Sequence, residues 1–147
     1  MQKTIKVPDR INYTKKARNL IEKIDESKFF CLNEGVLSRS ELFAFAMAIG
    51  SDTTKTKLEN IYPGGLVLDK SIDMKTKALI YALYINSICD KDLDSVTNKE
   101  AVYTMAQEYA NTGFENLEDY FKTKKEDALM WELLKELDKQ YEMLFDI

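Results

Sequence analysis

A chain with no histidine supports neither a Ser-His-Asp nor a Cys-His nucleophile, and it has no imidazole to bind zinc or switch with pH. Its two cysteines, Cys31 and Cys89, are widely separated and too few for a cysteine-rich zinc site. With no basic neighbour or helix N-terminus to stabilise a thiolate, they read as small buried hydrophobes. Gly64-Gly65 is not followed by the G-K-[ST] of a phosphate-binding loop, and no G-x-G-x-x-G follows a strand. The nearest approach to a metal motif is Asp90-x-Asp92-x-Asp94, since carboxylates at alternate loop positions wrap a hard cation in an EF-hand. The sixth position, however, is Ser95 where the sharp turn needs glycine, and Glu100 falls one place early for the bidentate ligand. That spacing predicts a solvated loop between helices, with no metal and no cofactor.

Glu108, amid Tyr103, Tyr109 and an apolar helix face, is the best placed carboxylate for acid-base work. No partner accompanies it in the sequence, and an acid on a helical surface is usually solvated. Tyr81, Tyr84, Tyr103, Tyr109, Tyr120 and Tyr141 have rings that stack well on bases. At helical spacing beside leucine and alanine they are better read as core, with hydroxyls at the rim. These residue types point to a protein that is not an enzyme.

Charge is the remaining chemistry. In the opening stretch Lys3, Lys6, Arg10, Lys15, Lys16, Arg18 and Lys23 face only Asp9 and Glu22, while the last third is acidic, and the whole chain carries a net charge of -4. A chain polarised in this way approaches an anionic partner by one end.

The elements that position these groups follow from periodicity. Residues Lys3 to Val7 alternate and Pro8 ends them, so 1–8 reads as an extended arm or short strand. From Thr14, apolar Ala17, Leu20, Ile21 and Ile24 recur at helical spacing, predicting a helix that ends near Ser27. Phe29, Phe30 and Leu32 then lead into an Asn33-Glu34-Gly35 turn. Ser38 and Glu41 have the spacing of a capping box and open a second helix, with Gly50 as its stop. Residues 51–73 form an irregular connection with a turn at Tyr62-Pro63-Gly64-Gly65 and an extended piece at Leu66-Val67-Leu68. Asp73 caps a third helix that is apolar on every face from Ala78 to Ile85, the pattern of a central, surrounded element. Thr97 and Glu100 repeat the capping-box spacing ahead of a helix ending at Gly113; Leu117 to Phe121 forms a short piece, and a final helix carries a stripe from Leu129 to Leu144. On this reading the helices centred on Ala44 and Ala82 are the most buried.

Thr4-Ile5-Lys6-Val7, the Pro8-Asp9-Arg10 turn, an amphipathic helix and then Leu37-Ser38-Arg39-Ser40-Glu41-Leu42 together resemble the ribbon-helix-helix DNA-binding fold. The resemblance implies that two chains pair their strands into a ribbon in the major groove, where Thr4 and Lys6 read base edges. It also implies that backbone amides near Ser38, Arg39 and Ser40 hold a phosphate. Over the whole chain, Glu41 to Gly50 followed by Gln107-Glu108-Tyr109-Ala110-Asn111-Thr112-Gly113 is similar to small accessory proteins of prokaryotic DNA phosphorothioation and related phage-defence loci. That similarity implies a non-enzymatic helical protein working beside DNA or a DNA-processing complex.

The expectation is a mainly α protein, one compact multi-helix domain over residues 1–147 with about five to six helices and a short N-terminal strand. The longest apolar runs, Leu42 to Ile49 and Ala78 to Ile85, fall far short of the ~20 residues a membrane span needs. With no signal-peptide pattern and no disulfide framework, the expected compartment is the cytoplasm. The expected role is a DNA-associated accessory or regulatory protein, oligomeric with itself. Its basic N-terminal end, including Arg10, Lys15, Lys16 and Arg18, faces duplex DNA. The alternative is an acidic helical interaction module or inhibitor whose C-terminal region binds a basic protein and which binds no nucleic acid.

Overall fold

Thr14 starts the first helix because its side chain can satisfy an amide that the helix itself cannot: the Ala17 amide donates to Thr14 Oγ1 at 3.0 Å. The computed structural model describes residues 8–27, 38–88, 93–123, 134–139 and 142. It is mainly helical with one short two-stranded antiparallel sheet, the class the sequence predicts. The chain divides into two compact units, Met1–Asn116 and Leu117–Ile147.

Within the first unit, α1 (Lys15–Ser27) buries Ala17, Leu20, Ile21 and Ile24, the predicted stripe. Helix α2 (Arg39–Ser51) begins with the predicted capping box, in which the Glu41 amide donates to Ser38 Oγ at 3.1 Å and the Ser38 amide donates to Glu41 Oε2 at 3.3 Å. Helix α3 (Met74–Ile88) is capped by Asp73, whose Oδ1 accepts from the Thr76 amide at 2.6 Å. Helix α4 (Lys99–Thr123) starts behind Asn98, whose Oδ1 accepts from the Ala101 amide at 3.2 Å. Thr97 is therefore not the cap; it lies in a 3-10 turn, Leu93–Thr97, and donates back to the Asp94 carbonyl at 2.8 Å.

The sheet joins β1 (Arg10–Ile11) to β2 (Val67–Leu68), pairing Arg10 with Leu68 and Ile11 with Val67. Flanking bonds extend the seam: the Tyr62 amide donates to the Tyr13 carbonyl at 2.9 Å, and the Asp69 amide to the Asp9 carbonyl at 2.8 Å. Arg10, read from sequence as part of a turn, is thus a strand residue paired within its own chain. The predicted strand at Lys3 to Val7 lies outside the described residues, as do the segment Phe29 to Val36, both cysteines and most of the final stripe. The connection 51–73 is largely irregular, as predicted, apart from β2 and a 3-10 turn at Asp69–Ser71.

Three expectations are corrected. Gly50 and Gly113 are not C′ stops: Gly50 is buried in the last turn of α2, which ends at Ser51 with Asp52 as its cap, Gly113 is buried in the interior of α4, and at these two residues α2 and α4 cross backbone to backbone. A Cβ on Gly50 would stand 2.8 Å from the Tyr109 carbonyl carbon and 2.9 Å from the Gly113 nitrogen, and one on Gly113 would stand 2.6 Å from the Ala46 carbonyl carbon. Glycine is used here for proximity. Consequently α4 runs through Leu117 to Phe121 without a break. Third, α3 is not the central helix. It buries Thr76, Ile80 and Tyr84 but leaves Met74, Leu79 and Ile85 exposed, with Ala78 and Ala82 also open. Ala48 on α2 is exposed as well. The innermost residues of the unit are Ile11, Leu42, Phe43, Ala46, Ile80, Val102, Ala106 and Ala110, so α2 and α4 supply most of the core.

In the second unit, the end of α4 carries a Lys122–Glu118 pair at 3.1 Å, one helical turn apart. Residues 134–139 are helical, with Leu134 and Leu137 exposed. No helix among the described residues is long and apolar enough to cross a membrane.

Candidate nucleic-acid interface

Of the basic residues singled out in the sequence, those among the described residues lie on α1, at the start of α2 and on the β1–β2 seam. Lys15 and Lys16 open α1 and are exposed, as is Lys23 two turns on. Arg10 projects from β1, where its guanidinium holds both oxygens of Asp9, at 2.9 and 3.1 Å, and donates to the Gly64 carbonyl at 3.2 Å. The Asp9 carboxylate accordingly holds the Arg10 guanidinium even above its usual high pKa. Arg18 lies 4.3 Å from the centre of the Tyr62 ring and 3.2 Å from Glu22, so a cation-π contact and an (i, i+4) ion pair share one guanidinium. Tyr62 also meets Tyr13 edge-to-face, with ring centres 5.7 Å apart, and burial pushes the Tyr13 phenol up.

Arg39 reaches back across the α1–α2 connection to Asp25, with contacts of 2.7 and 3.4 Å. Each of these three arginines therefore faces a carboxylate of its own chain. Exposed pairs of this kind contribute little to stability, but they lower the net positive field of the surface. Beside these pairs, Lys15, Lys16 and Lys23 are exposed on α1.

The start of α2 was expected to hold a phosphate on backbone amides. There the Ser38 amide donates to the Glu41 carboxylate and the Glu41 amide to the Ser38 hydroxyl, so a carboxylate of the chain itself already occupies the positive end of the helix dipole. Ser40 turns inward. It is 4% exposed, and its hydroxyl lies 3.3 Å from both Asp73 Oδ2 and Thr76 Oγ1, tying α2 to the cap of α3. Thr4 and Lys6 lie outside the described residues.

Two constellations escape a reading by periodicity. The first is the Gln107 to Gly113 segment of α4, where three separate parts of the unit are fastened. Gln107 Oε1 accepts from the Asn12 amide at 2.6 Å, and the Glu108 carbonyl accepts from the Thr56 amide at 3.2 Å. Asn111 Nδ2 donates to the Thr56 carbonyl at 3.2 Å and Thr112 Oγ1 to the Thr54 carbonyl at 2.6 Å, while Gly113 takes the backbone of α2. The second is Asp69, whose carboxylate accepts from Lys99 at 2.8 Å and from the Tyr103 hydroxyl, with Lys77 at 3.9 Å. Those bonds hold the Asp69 carboxyl below its usual range, and burial together with Asp69 pushes the Tyr103 phenol up. No sequence spacing signals either cluster, because the hydrogen-bonded partners lie 30 to 95 residues apart.

A groove of about 600 Å³ runs beside α4, lined by Lys55, Tyr84, Ser87, Glu100, Thr104 and Glu108 among others. Glu100 and Glu108 stand two turns apart on one helix, about 12 Å along its axis, too far to share a proton. Asp94 is exposed in the 3-10 turn, whereas Asp90 and Asp92 lie outside the described residues. Among the described residues no group of three or more acidic or cysteine side chains converges on a common point. Compared with protein-family models, with curated proteins and with solved structures, the chain matches none.

Proposed function

We propose that this chain is a non-enzymatic, cytoplasmic accessory protein of a prokaryotic or phage DNA-processing or defence system, and that it approaches duplex DNA with the outer face of α1. The observation that carries this reading is the segregation of that helix. Its apolar stripe is buried, while Lys15, Lys16 and Lys23 are exposed within an arc of about 100° at ~100° per residue. Glu22 on the same side is engaged by Arg18, which leaves Glu26 as the acid at the far end. The resemblance read in Glu41 to Gly50 and Gln107 to Gly113 points to the same role, and in the fold those two segments pack on each other at the glycine crossing.

A mobility-shift assay at low salt tests the proposal. The full chain shifts duplex DNA, and a variant combining Lys15→Glu, Lys16→Glu and Lys23→Glu, all at exposed positions, binds at least about tenfold more weakly. No shift by the full chain would contradict the proposal. A second reading, an interaction module that binds no nucleic acid, is favoured by the exposed apolar face of α3; in that case the chain leaves DNA unshifted at every salt concentration.

A further inference from the structure

The groove beside α4 is ordered in cross-section. Glu100, Thr104 and Glu108 follow at every fourth residue and form one row along the helix, and Ala101, Met105 and Tyr109 form the row beside it. Tyr84, Ser87 and Ile88, on one side of α3, make the facing wall. Met105 and Tyr84 are buried, and the Ser87 hydroxyl joins the two walls, lying 3.4 Å from Met105 Sδ. Glu100 and Thr104 are exposed and Glu108 is half-buried. The groove thus has an apolar floor and, along α4, a rim of acid, hydroxyl and acid. All of these residues belong to the first unit.

The rim acids are not neutralised by the chain. Arg10, Arg18, Arg39, Lys99 and Lys122 each face a carboxylate, yet among the described residues the side chains of Glu100 and Glu108 have neither a cation within 4 Å nor a hydrogen-bond donor. Lys55 is the one base in the lining, brought to the Glu108 end by the Thr56 amide, which donates to the Glu108 carbonyl. Lys99, next to Glu100 in sequence, is committed to Asp69.

We propose that the groove binds an extended, basic segment of a partner protein, with lysine or arginine four residues apart and an apolar residue midway between them. The proposal does not rest on the DNA reading. Eight helical residues separate the two acids by about 12 Å, and four residues of extended chain span about 13 Å with positions i, i+2 and i+4 on one side. Two cations of such a segment meet Glu100 and Glu108 while the residue between them lies over Met105 and Tyr84. A bare polyamine spanning the same acids would leave most of the roughly 600 Å³ unfilled, and it has no side chain for the apolar floor.

Fluorescence anisotropy of the full chain with a labelled, end-capped peptide, Ser-Lys-Ala-Leu-Ala-Lys-Ser, tests this. The peptide binds, and it binds at least about threefold more tightly than Ser-Ala-Lys-Leu-Lys-Ala-Ser, which has the same composition with its lysines too close to reach both acids. Glu100→Gln and Glu108→Gln each weaken binding about threefold and together about tenfold, with helicity and melting unchanged. Lys55→Glu strengthens it about threefold, a gain that damage to the fold cannot produce and that decides alone if a glutamate variant fails to fold. No binding by the full chain, equal affinity for the two peptides, or binding indifferent to these three positions would overturn the proposal. Spermidine binding more tightly than the first peptide would also overturn it, by making a small polyamine the occupant.

Discussion

Gly50 and Gly113 show how a residue is misread when its reason lies far away in sequence. A glycine at the end of an apolar helical run reads locally as a C-terminal stop, whereas both glycines permit a crossing between residues some sixty positions apart. Alanine in a helix interior normally adds about 1 kcal/mol over glycine. Here the sign reverses, because the new Cβ meets a backbone carbonyl of the other helix, which cannot swing aside. Gly50→Ala and Gly113→Ala are each expected to cost about 3 kcal/mol or more, measured by urea unfolding followed by circular dichroism; a stabilised variant would contradict the crossing. Ser38, Glu41 and Asp73, by contrast, were legible because a cap and its amide are only three residues apart.

Asp69 and Asp73 make a pH prediction at the same scale. Hydrogen bonds from Lys99 and Tyr103 lower the first, and the Thr76 amide lowers the second, both from an ordinary value of 3.8. A carboxylate depressed in the folded state contributes stability that is fully present above its unfolded value and is lost as pH falls through its folded one. Unfolding free energy should therefore decline from about pH 3.8 downward. Asp69→Asn should flatten that acid limb while lowering stability at neutral pH by about 1 kcal/mol or more, since it leaves Lys99 and Tyr103 without a charged acceptor. An acid limb unchanged in Asp69→Asn would mean that the carboxylate is not held down by these bonds.

At the level of elements, α1 was legible throughout because one apolar stripe beside one polar face has one solution. Helix α3 was not. A run that is apolar all round fits a surrounded helix and equally a helix with one face against its own chain and another open to a partner; the sequence cannot separate these. Helix α4 looked less apolar, yet its small residues Ala106 and Ala110 lie in the core. The consequence is a reordering of sensitive positions. Ala48→Asp, on an exposed position of α2, should change stability by no more than about 0.5 kcal/mol, whereas Ile80→Asp strands a charge in the core and should abolish the cooperative melt. Thermal denaturation of the two variants checks this, and an Ala48→Asp chain that fails to fold would place α2 differently.

For the whole molecule, the basic N-terminal end was plain in the sequence, but its neutralisation was only partly so. Asp9 is adjacent to Arg10 and Glu22 is one turn from Arg18, both visible in sequence, while Asp25 reaches Arg39 only through the fold. What the fold leaves outward on α1 is a set of lysines, and the central claim is that they meet DNA phosphates. The most direct measurement is the salt dependence of binding to duplex DNA, for the full chain and for a variant combining Lys15→Gln, Lys16→Gln and Lys23→Gln. Each phosphate contact contributes about 0.9 to the slope of log affinity against log salt. Loss of three contacts should make the slope shallower by about 2.7 without altering the fold. Equal slopes for the two proteins, or no measurable binding by the full chain at low salt, would contradict the account.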